Sequence, residues 1–561
     1  MAIPLVYRFL HREIRGVHEA AYLLAFFTLG SQLMGLVRDR LLAHSFGTGE
    51  VLDIFYAAFR IPDTMYALLA SMVSLFVLIP FLEASRKQGK EAVREFLSDM
   101  LSFFSAMLIA LGFLVFIFAP QLVQLLYAGF AAPMQEELVV MVRILLIQPF
   151  VLGVSNLFAA YVQVQGRFLL YAIAPILYNI GIIVGVLWFE PVLGISGLAW
   201  GVVLGAVLHL LIQAPFVAMQ GVFPRFRIPD MRRVYGVVRL SIPRTITLSA
   251  QQVVLLVLVS MASLFAVGSV SSFSFAWNLQ AVPLAIIGAS YSVAAFPKLA
   301  MLFGSGERAG YRSLILTATR HILFWAIPVT MLVIVLRAQL VRVIFGTGAF
   351  DWAATMLVGA LLAMFVISLA AQGLVILLVR ACYAAGRTLV PLVLNVGSSV
   401  VTVLLAGLLL VYAQAGTLDL DLLTRLMRVD GVEGNEVLLI VLAYSVGSIL
   451  NALLLLAYFE LSFGNIFRDI ARTVWQAVVA GLVSGVAAYG TLNVLDDFLD
   501  LATFHGIFLQ GLGAGVVGIL VWVSALIVLD SRDLEVAWGT LYKRIKKPRL
   551  GDVQGDVGGS S

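Results

Sequence analysis

Cysteine and charged residues are both scarce in this sequence. Cys382 is the single cysteine among 561 residues, so an intramolecular disulfide and a cysteine-based metal cluster are both excluded. Charged residues make up 12% of the chain, against about 25% in soluble globular proteins. Hydrophobic residues make up 61%, and the mean hydropathy is +1.03. Water therefore cannot be the main solvent of this chain, and the composition is typical of a membrane protein.

The motifs of common enzyme classes are also missing. No Walker A motif, H-E-x-x-H pair, nucleophile elbow or dinucleotide fingerprint occurs on suitable predicted elements. The six histidines show no metal-ligand spacing, and the glycine-rich GSGERAG that begins at Gly304 follows no strand. A net charge of +5 is weak support for a nucleic-acid partner. We therefore expect no enzymatic activity, cofactor, metal or nucleic acid, while a coupling ion stays open.

Long apolar runs recur from one end of the chain to the other. A spanning helix needs roughly 20 apolar residues, and runs of that length predict about fourteen transmembrane helices. The segment before the first run carries Arg8, Arg12 and Arg15 but no apolar core long enough for a signal peptide, so we expect the first run to stay as a membrane anchor. The predicted fold class is an all-α polytopic membrane protein.

Basic and acidic residues separate from loop to loop. If the amino terminus is cytoplasmic, most basic loop residues fall on the same side, and the opposite loops collect acidic residues such as Glu136, Glu190 and Asp496. The positive-inside rule then places both termini in the cytoplasm and favours an even number of spans. The main basic clusters lie at 86–94, 225–239, 308–320 and 543–549.

The chain also resembles itself at a shift of about 220 residues. QLVQLLYAGF, from Gln121, matches QLVRVIFGTGAF, from Gln339, and the glycine-arginine pair at Gly166 matches the pair at Gly386. We expect two parallel six-helix repeats and two extra C-terminal helices, a plan that recurs in transporters but also in membrane proteins without transport activity. The expected segments are a cytoplasmic N-terminal segment (1–18), an N-lobe (19–222), a C-lobe (223–463), a helix pair (464–530) and a basic cytoplasmic tail (531–561).

Several arginines fall within or near predicted spans. A charge at the bilayer centre costs about 2.5 to 3.5 kcal/mol, so each side chain needs a watery cavity or a partner. We expect Arg38, Arg60 and Arg244 to face a cavity suited to an anionic cargo, because guanidinium groups bind phosphate oxygens. Arg40 and Arg143 are expected to be paired or to snorkel towards an interface.

Two alternatives stay open for these polar residues. The arginines could form internal salt bridges, with Asp39, Asp53 and Asp63 as nearby partners. Asn278 and Gln280 are candidates for hydrogen bonds to a cargo, and packing between helices is at least as good an explanation for them.

Three segments resemble one known family. SQLMGLVRDRLLAHSFGTGEVLDIFYAAFRIPD, from Ser31, is similar to the MviN/MurJ family of lipid II flippases, within the multidrug/oligosaccharidyl-lipid/polysaccharide exporter superfamily. SVSSFSFAWNLQAVPLAIIGASYSVAAFPKL, from Ser269, and LVRACYAAGRTLVP, from Leu378, add to the likeness. The resemblance implies two lobes around a central cavity, with an extra helix pair that holds the polyprenyl tail of the cargo.

The resemblance also implies a function and a site. The cargo would be lipid II, a polyprenyl-diphosphate-linked glycan, moved by alternating access. The protein would lie in the bacterial inner membrane, in contact with membrane lipids. The pair Arg38 and Asp39, the acidic Asp53 and the basic Arg60 match substrate-binding positions of the family. This chain departs from the family pattern in two places. Tyr66 and Ala67 stand where many members have two arginines, and Ala276-Trp277-Asn278-Leu279 stands where many have A-D-R-L.

Arg244 is a candidate replacement for one of the missing cations, and no acidic residue in the seventh span suits the sodium site of some members. These departures keep two other functions open. One is a flippase for another polyprenyl-linked oligosaccharide. The other is a membrane scaffold without transport activity that recruits cell-wall synthesis proteins through basic cytoplasmic loops.

Overall fold

The computed structural model describes residues 17–70, 75–416, 421–501 and 503–545, and the side chains of most of them. These residues form helices joined by short connections, and none of them lies in a strand. Among the described residues, eleven helical segments, some of them made of consecutive helices, are long and apolar enough to cross a membrane. A pair of helices bent by 45° counts as a twelfth if it forms one span. The predicted all-α polytopic class is confirmed. The number fourteen is compatible with these helices and stays a prediction.

The described residues of the first half of the chain form ten α-helices before an extended segment that begins at residue 222. They are α1 (Val17–Phe46), α2 (Glu50–Ala70), α3 (Leu75–Gln88), α4 (Lys90–Leu126), α5 (Ala132–Leu145), α6 (Ile147–Val164), α7 (Phe168–Val184), α8 (Glu190–Leu193), α9 (Ile195–Leu211) and α10 (Ala214–Met219). A π-helical segment, Gly185–Phe189, joins α7 to α8. The apolar run of the sequence continues through this π segment, so the sequence does not reveal it.

The second half begins with the long helix α11, in which the side chain of Arg244 lies outside the described residues. The helices are α11 (Met231–Ala262), α12 (Ser269–Leu284), α13 (Ser290–Gly304), α14 (Arg308–Phe345), α15 (Trp352–Ile367), α16 (Leu369–Ala384), α17 (Leu389–Gln414), α18 (Asp421–Met427), α19 (Val437–Phe463), α20 (Ile466–Asp496), α21 (Phe504–Val528) and α22 (Arg532–Ile545). A second π segment, Ala285–Ala289, joins α12 to α13.

Two compact units make up the structure, and each is discontinuous in sequence. Unit 1 consists of Met1–Val282, Leu340–Ala371 and Gly386–Leu455. Unit 2 consists of Pro283–Gln339, Gln372–Ala385 and Leu456–Ser561. The segment boundaries expected from the sequence stay a prediction.

Glycines bring two helices of unit 1 into backbone contact. A Cβ atom on Gly181 of α7 would meet the backbone of Gly205 of α9, and one on Gly185 would meet Gly201. Small residues at such positions let membrane helices approach closely, and no larger residue fits there without moving a backbone. We call this contact the glycine seam.

The two glycines paired by the internal repeat share one backbone conformation. Gly166 follows the end of α6 with φ +70°, and Gly386 follows the end of α16 with φ +68°. A glycine in the left-handed region commonly ends a helix, because a side chain is disfavoured there. This shared conformation agrees with the predicted repeat.

In unit 2, the helices α20 and α21 pack along each other and against α14. Ser484 Oγ donates a hydrogen bond to the carbonyl oxygen of Gly518 at 2.7 Å. Gly481 of α20 lies close to Pro328 and Met331 of α14. The hydrogen bond joins α20 to α21, and the close approach at Gly481 places α20 against α14.

The short helix α22 is attached to unit 2 by a buried carboxylate. Asp533 is only 5% exposed and pairs with Arg320 through Nη2 at 2.9 Å. Thr473 donates from Oγ1 to the other carboxylate oxygen at 2.6 Å. Leu534 and Ala537 pack against an apolar cluster that contains Trp522. The polar anchor and the apolar face together hold α22 against the protein.

Candidate functional site

Arg38 and Asp39 form an ion pair near the carboxyl-terminal end of α1. Nε and Nη2 of Arg38 lie 2.9 Å and 2.7 Å from the same oxygen, Asp39 Oδ1. Successive residues on a helix point in different directions, so the guanidinium must fold back to reach its neighbour. Asp39 is 1% exposed, whereas 20% of the Arg38 side chain is exposed.

Two amides from other helices of unit 1 complete this pair. Arg38 donates from Nη1 to Asn179 Oδ1 of α7 at 3.0 Å. Asn278 of α12 donates from Nδ2 to Asp39 Oδ2 at 2.9 Å. Each carboxylate oxygen of Asp39 therefore has a partner, as a buried charge requires. We call Arg38, Asp39, Asn179 and Asn278 the Arg38 cluster.

Asp53 lies in the first turn of α2 and caps another helix. Its carboxylate accepts hydrogen bonds from the backbone N–H groups of Gly268 and Ser271, each at 2.7 Å. These groups lie at the start of α12, where unpaired N–H groups and the helix dipole favour a negative charge. Asp53 is 1% exposed and fixes the start of the helix that carries Asn278.

Arg60 lies further along α2 and has an incomplete set of partners. Its buried Nε has no hydrogen-bond partner among the described residues. Asp63, one helical turn later, is the acid whose charge acts on Arg60 most strongly. Tyr56 lies within electrostatic reach of both Arg38 and Arg60. The two arginines thus share a neighbour but have different degrees of hydrogen bonding.

Arg40 and Arg143 bind backbone oxygens. Arg40 donates from Nη1 to the carbonyls of Val343 at 2.7 Å and Ile344 at 3.3 Å, in the last turn of α14, where carbonyl groups lack helical partners. Arg143 donates to the carbonyl of Phe116 at 3.2 Å, and its guanidinium lies 4.8 Å from the centre of that ring. These contacts are with carbonyl oxygens and a ring, and the salt bridges expected from the sequence for the two arginines stay a prediction.

The residues at the departures from the family pattern have apolar or amide neighbours. The ring of Trp277 lies 5.6 Å from that of Phe365 and 5.2 Å from that of Tyr444. The hydroxyl of Tyr66 accepts a hydrogen bond from the amide of Asn156. Trp277, at the acidic position of the A-D-R-L pattern, thus lies in an aromatic cluster. Asn278, at the basic position of that pattern, donates to Asp39, and Tyr66 is bound by an amide.

The remaining predicted site residues lie elsewhere. Gln280 is 1% exposed and lies two positions after Asn278, on another face of α12. The side chain of Arg244 is not among those described. No group of three or more His, Cys, Asp or Glu side chains that could hold a metal ion occurs in the described part of the chain. The structure thus brings Arg38, Asp39 and Asn278 together.

Asn179 is the member of the Arg38 cluster that reasoning from the sequence missed. It lies in the apolar helix α7, between Tyr178 and Ile180. A lone amide in such an apolar run indicates a polar partner on another helix, since a polar side chain inside a span is energetically costly without one.

Comparison with known proteins identifies the family. The family model described as lipid II flippase MurJ matches residues 42–507. This chain belongs to the lipid II flippase MurJ family. The resemblance seen in the sequence is confirmed, and so is the prediction of a transporter rather than an enzyme.

Relatives of this chain agree with this family. A lipid II flippase MurJ from Burkholderia cenocepacia is 28% identical over 392 residues, or 67% of this chain and 75% of the relative. A probable lipid II flippase MurJ from Bdellovibrio bacteriovorus is 28% identical over 503 residues, or 86% of this chain and 90% of the relative.

Two solved structures share the fold. A lipid II flippase MurJ in an inward closed conformation gives a TM-score of 0.70 at 19% identity, covering 93% of this chain and 99% of that one. An inward-facing multidrug resistance MATE family transporter of the MOP superfamily gives 0.63 at 14% identity, covering 78% and 96%.

Proposed function

We propose that this protein moves lipid II from the cytoplasmic to the outer leaflet of the bacterial inner membrane by alternating access. The match to the lipid II flippase MurJ family over residues 42–507 is the observation that carries the proposal. The Arg38 cluster adds a chemical reason, because a partly exposed guanidinium is suited to a diphosphate. Both termini are proposed to lie in the cytoplasm, in line with the positive-inside pattern.

The diphosphate is proposed to exchange places with a carboxylate at Arg38. Nε and Nη2 of Arg38 form the guanidinium edge that now contacts Asp39 Oδ1. Phosphate and carboxylate oxygens bind the same edge, so cargo and Asp39 compete for it. Asn278 holds the other oxygen of Asp39 and gives the displaced carboxylate a partner. Asp39 thus favours release of the cargo, and it holds the Arg38 side chain in place when no cargo is bound.

Arg60 is proposed to bind a second oxygen of the cargo headgroup. Its buried Nε is a donor without a partner in the described structure, and an unsatisfied buried donor lowers stability. A ligand oxygen would satisfy it. Asp53 is proposed to support the site indirectly, by fixing the start of α12. Arg244 and Gln280 are proposed to contribute further polar contacts.

The helix pair α20 and α21 is proposed to guide the polyprenyl tail. Val486 of α20 and Leu512 of α21 are exposed apolar side chains, with several more on the same two helices. An isoprenoid chain would lie against such a surface without burying a polar group.

The direct test follows the headgroup of lipid II in cells. Cells depleted of the protein should accumulate lipid II with its headgroup protected from an external enzyme that cleaves exposed lipid II. Re-expression should restore cleavage. Unchanged cleavage in depleted cells that have no other lipid II flippase would refute the proposal. The lipid species that copurify with the protein would separate lipid II from other polyprenyl-linked oligosaccharides.

A further inference from the structure

The extended segment that joins α10 to α11 crosses the amino-terminal part of α4. Residues 222–230 form no helix, and we call them the strap. The backbone N–H of Arg225 donates to Ser98 Oγ, and that of Arg227 donates to Ser102 Oγ, each at 2.9 Å. The two serines are one helical turn apart on α4, so they match alternate residues of an extended chain.

A buried carboxylate strengthens this attachment. Asp99 of α4 is 0% exposed and accepts from Arg227 Nε at 2.7 Å and from Arg233 Nη1 at 3.2 Å. It also accepts from the backbone N–H of Asp230 at 3.2 Å. Glu95 binds Arg233 at 2.9 Å. The hydrogen bond to Asp99 is the main cause that raises the pKa of Arg227.

The other face of the strap and of the first turns of α11 is amphiphilic. Ile228 is 94% exposed and Phe226 is 69% exposed, and Tyr235 is exposed beside them. Three further arginines, Arg225, Arg232 and Arg239, are exposed, and their guanidinium groups make no ion pair with any described residue. The five arginines of this region are thus divided into two that bind α4 and three that face outwards.

We propose that the outer face of the strap docks on the anionic phospholipid headgroups of the leaflet that the charge pattern places on the cytoplasmic side. The strap connects α10 to α11 and belongs to the basic stretch 225–239, which the charge pattern places on the cytoplasmic side, where anionic headgroups attract basic segments. Exposed guanidinium groups bind lipid phosphates, while Phe226 and Ile228 enter the boundary of the acyl chains. The proposal does not depend on which cargo the protein carries.

Fluorescence of a label on the full-length protein tests the depth of the strap. Cys382 is the single native cysteine and is buried, so a C382A background allows one label at I228C. We expect a nitroxide on the phospholipid headgroup to quench this label in vesicles containing phosphatidylglycerol. Aqueous iodide should quench it less than a label at E307C, an exposed position in the connection before α14. Equal quenching by iodide at both positions would overturn the proposal.

A titration separates charge from simple contact with lipid. In neutral detergent, phosphatidylglycerol should change the fluorescence of the label with a definite midpoint concentration. For R232Q this midpoint should lie about fivefold higher, the amount expected for the loss of one surface cation. Phosphatidylcholine should give no comparable midpoint. An R232Q midpoint equal to that of the parent would count against anionic lipid. Shielding of the label that grows with the ratio of protein to lipid would instead indicate a second copy of the chain, and would also overturn the proposal.

The attachment itself has a matched control. D99N weakens three contacts of the strap, so the label at I228C should become more accessible to iodide. E83Q removes a half-exposed carboxylate of α3 that pairs with Arg86, and should leave the label unchanged. If D99N also left the label unchanged, with the protein still folded, Asp99 would not hold the strap in its docked position.

Discussion

Arg38 combines three contacts with partial exposure, and this combination suits a site that must bind and release. A fully buried and fully paired guanidinium would contribute structure but could not meet a cargo. A fully exposed one would be hydrated and would snorkel to an interface. Here one carboxylate and one amide hold Arg38 in place while a fifth of its side chain stays exposed.

Removal of the Arg38 side chain should abolish transport without preventing insertion. R38A leaves Asp39 with Asn278 as its polar partner and removes the guanidinium that is proposed to bind diphosphate. We expect lipid II flipping to fall at least about tenfold, the effect of losing one charge-assisted contact of 1.5 to 3 kcal/mol. The measurement is headgroup exposure in cells that express equal amounts of membrane-inserted protein. R143A, which loses only surface contacts, should stay near the parent rate. Normal flipping by R38A would exclude a part for Arg38 in binding.

Loss of the negative charge of Asp39 should strengthen binding of the diphosphate, whereas loss of Arg38 should weaken it. D39N keeps the shape of the side chain but no longer competes as an anion for the guanidinium edge. We expect tighter binding of a soluble diphosphate-sugar analogue and a slower transport cycle, because release becomes the slow step. Calorimetric titration of the purified protein measures the binding. Weaker binding by D39N would contradict the proposed exchange and would assign Asp39 a purely structural part.

The charged members of this site could be identified from the sequence because they are unusual within apolar runs. Arg38, Asp39 and Arg60 stand out in spans where a charge is expensive. The partners of these residues could not be assigned, since Asn179 and Asn278 lie far along the chain and meet Arg38 and Asp39 only through helix packing. The capping of α12 by Asp53 was hidden for the same reason.

At the scale of helices, the glycine seam should be sensitive to a single methyl group. G181A places a Cβ atom against the backbone of Gly205, which cannot move without shifting α9. We expect a loss of about 1 to 3 kcal/mol in the free energy of unfolding, as for other overpacked contacts. Thermal unfolding in detergent measures the change. G112A has no atom within 4 Å of the added Cβ and should be neutral or slightly stabilising. Equal melting of both variants would argue against the close contact.

The attachment of α22 should depend on Asp533. D533A removes the partner of Arg320 and Thr473, so we expect α22 to detach from unit 2, at a loss of about 1 to 3 kcal/mol. Trypsin should then cut at Arg532 faster than in the parent, and the rate can be followed by the mass of the C-terminal fragment. E535A changes an exposed carboxylate in the same helix and should leave cleavage unchanged.

Sequence patterns identify the long helices better than the short attachments. Apolar runs of sufficient length predict most spans, because the requirement to satisfy backbone hydrogen bonds in lipid allows few other structures. The strap and α22 escaped this reasoning, since their positions depend on buried carboxylates of distant helices, Asp99 and the pairing of Asp533 with Arg320. The two π segments have no sequence pattern that we recognised.

At the scale of the whole molecule, the charge pattern predicts a definite orientation. In a C382A background, a cysteine at Glu136 should react with a membrane-impermeant maleimide in intact cells. A cysteine at Lys87 should react only after permeabilisation, because its loop is expected on the cytoplasmic side. Lys87 lies in the last turn of α3, and Glu136 lies near the start of α5. Labelling of both from the same side would contradict the predicted orientation.

The glycine seam also restricts the routes open to an amphiphilic cargo. A lipid whose headgroup crosses in water while its tail stays in oil needs a lateral slit through which the two parts remain joined. The backbone of α9 contacts α7 at Gly181 and Gly205, and it contacts the following π segment at Gly185 and Gly201. No space for an added carbon atom is left between these backbones. This wall of unit 1 is therefore closed to the tail, and any doorway for the cargo must open along other helices.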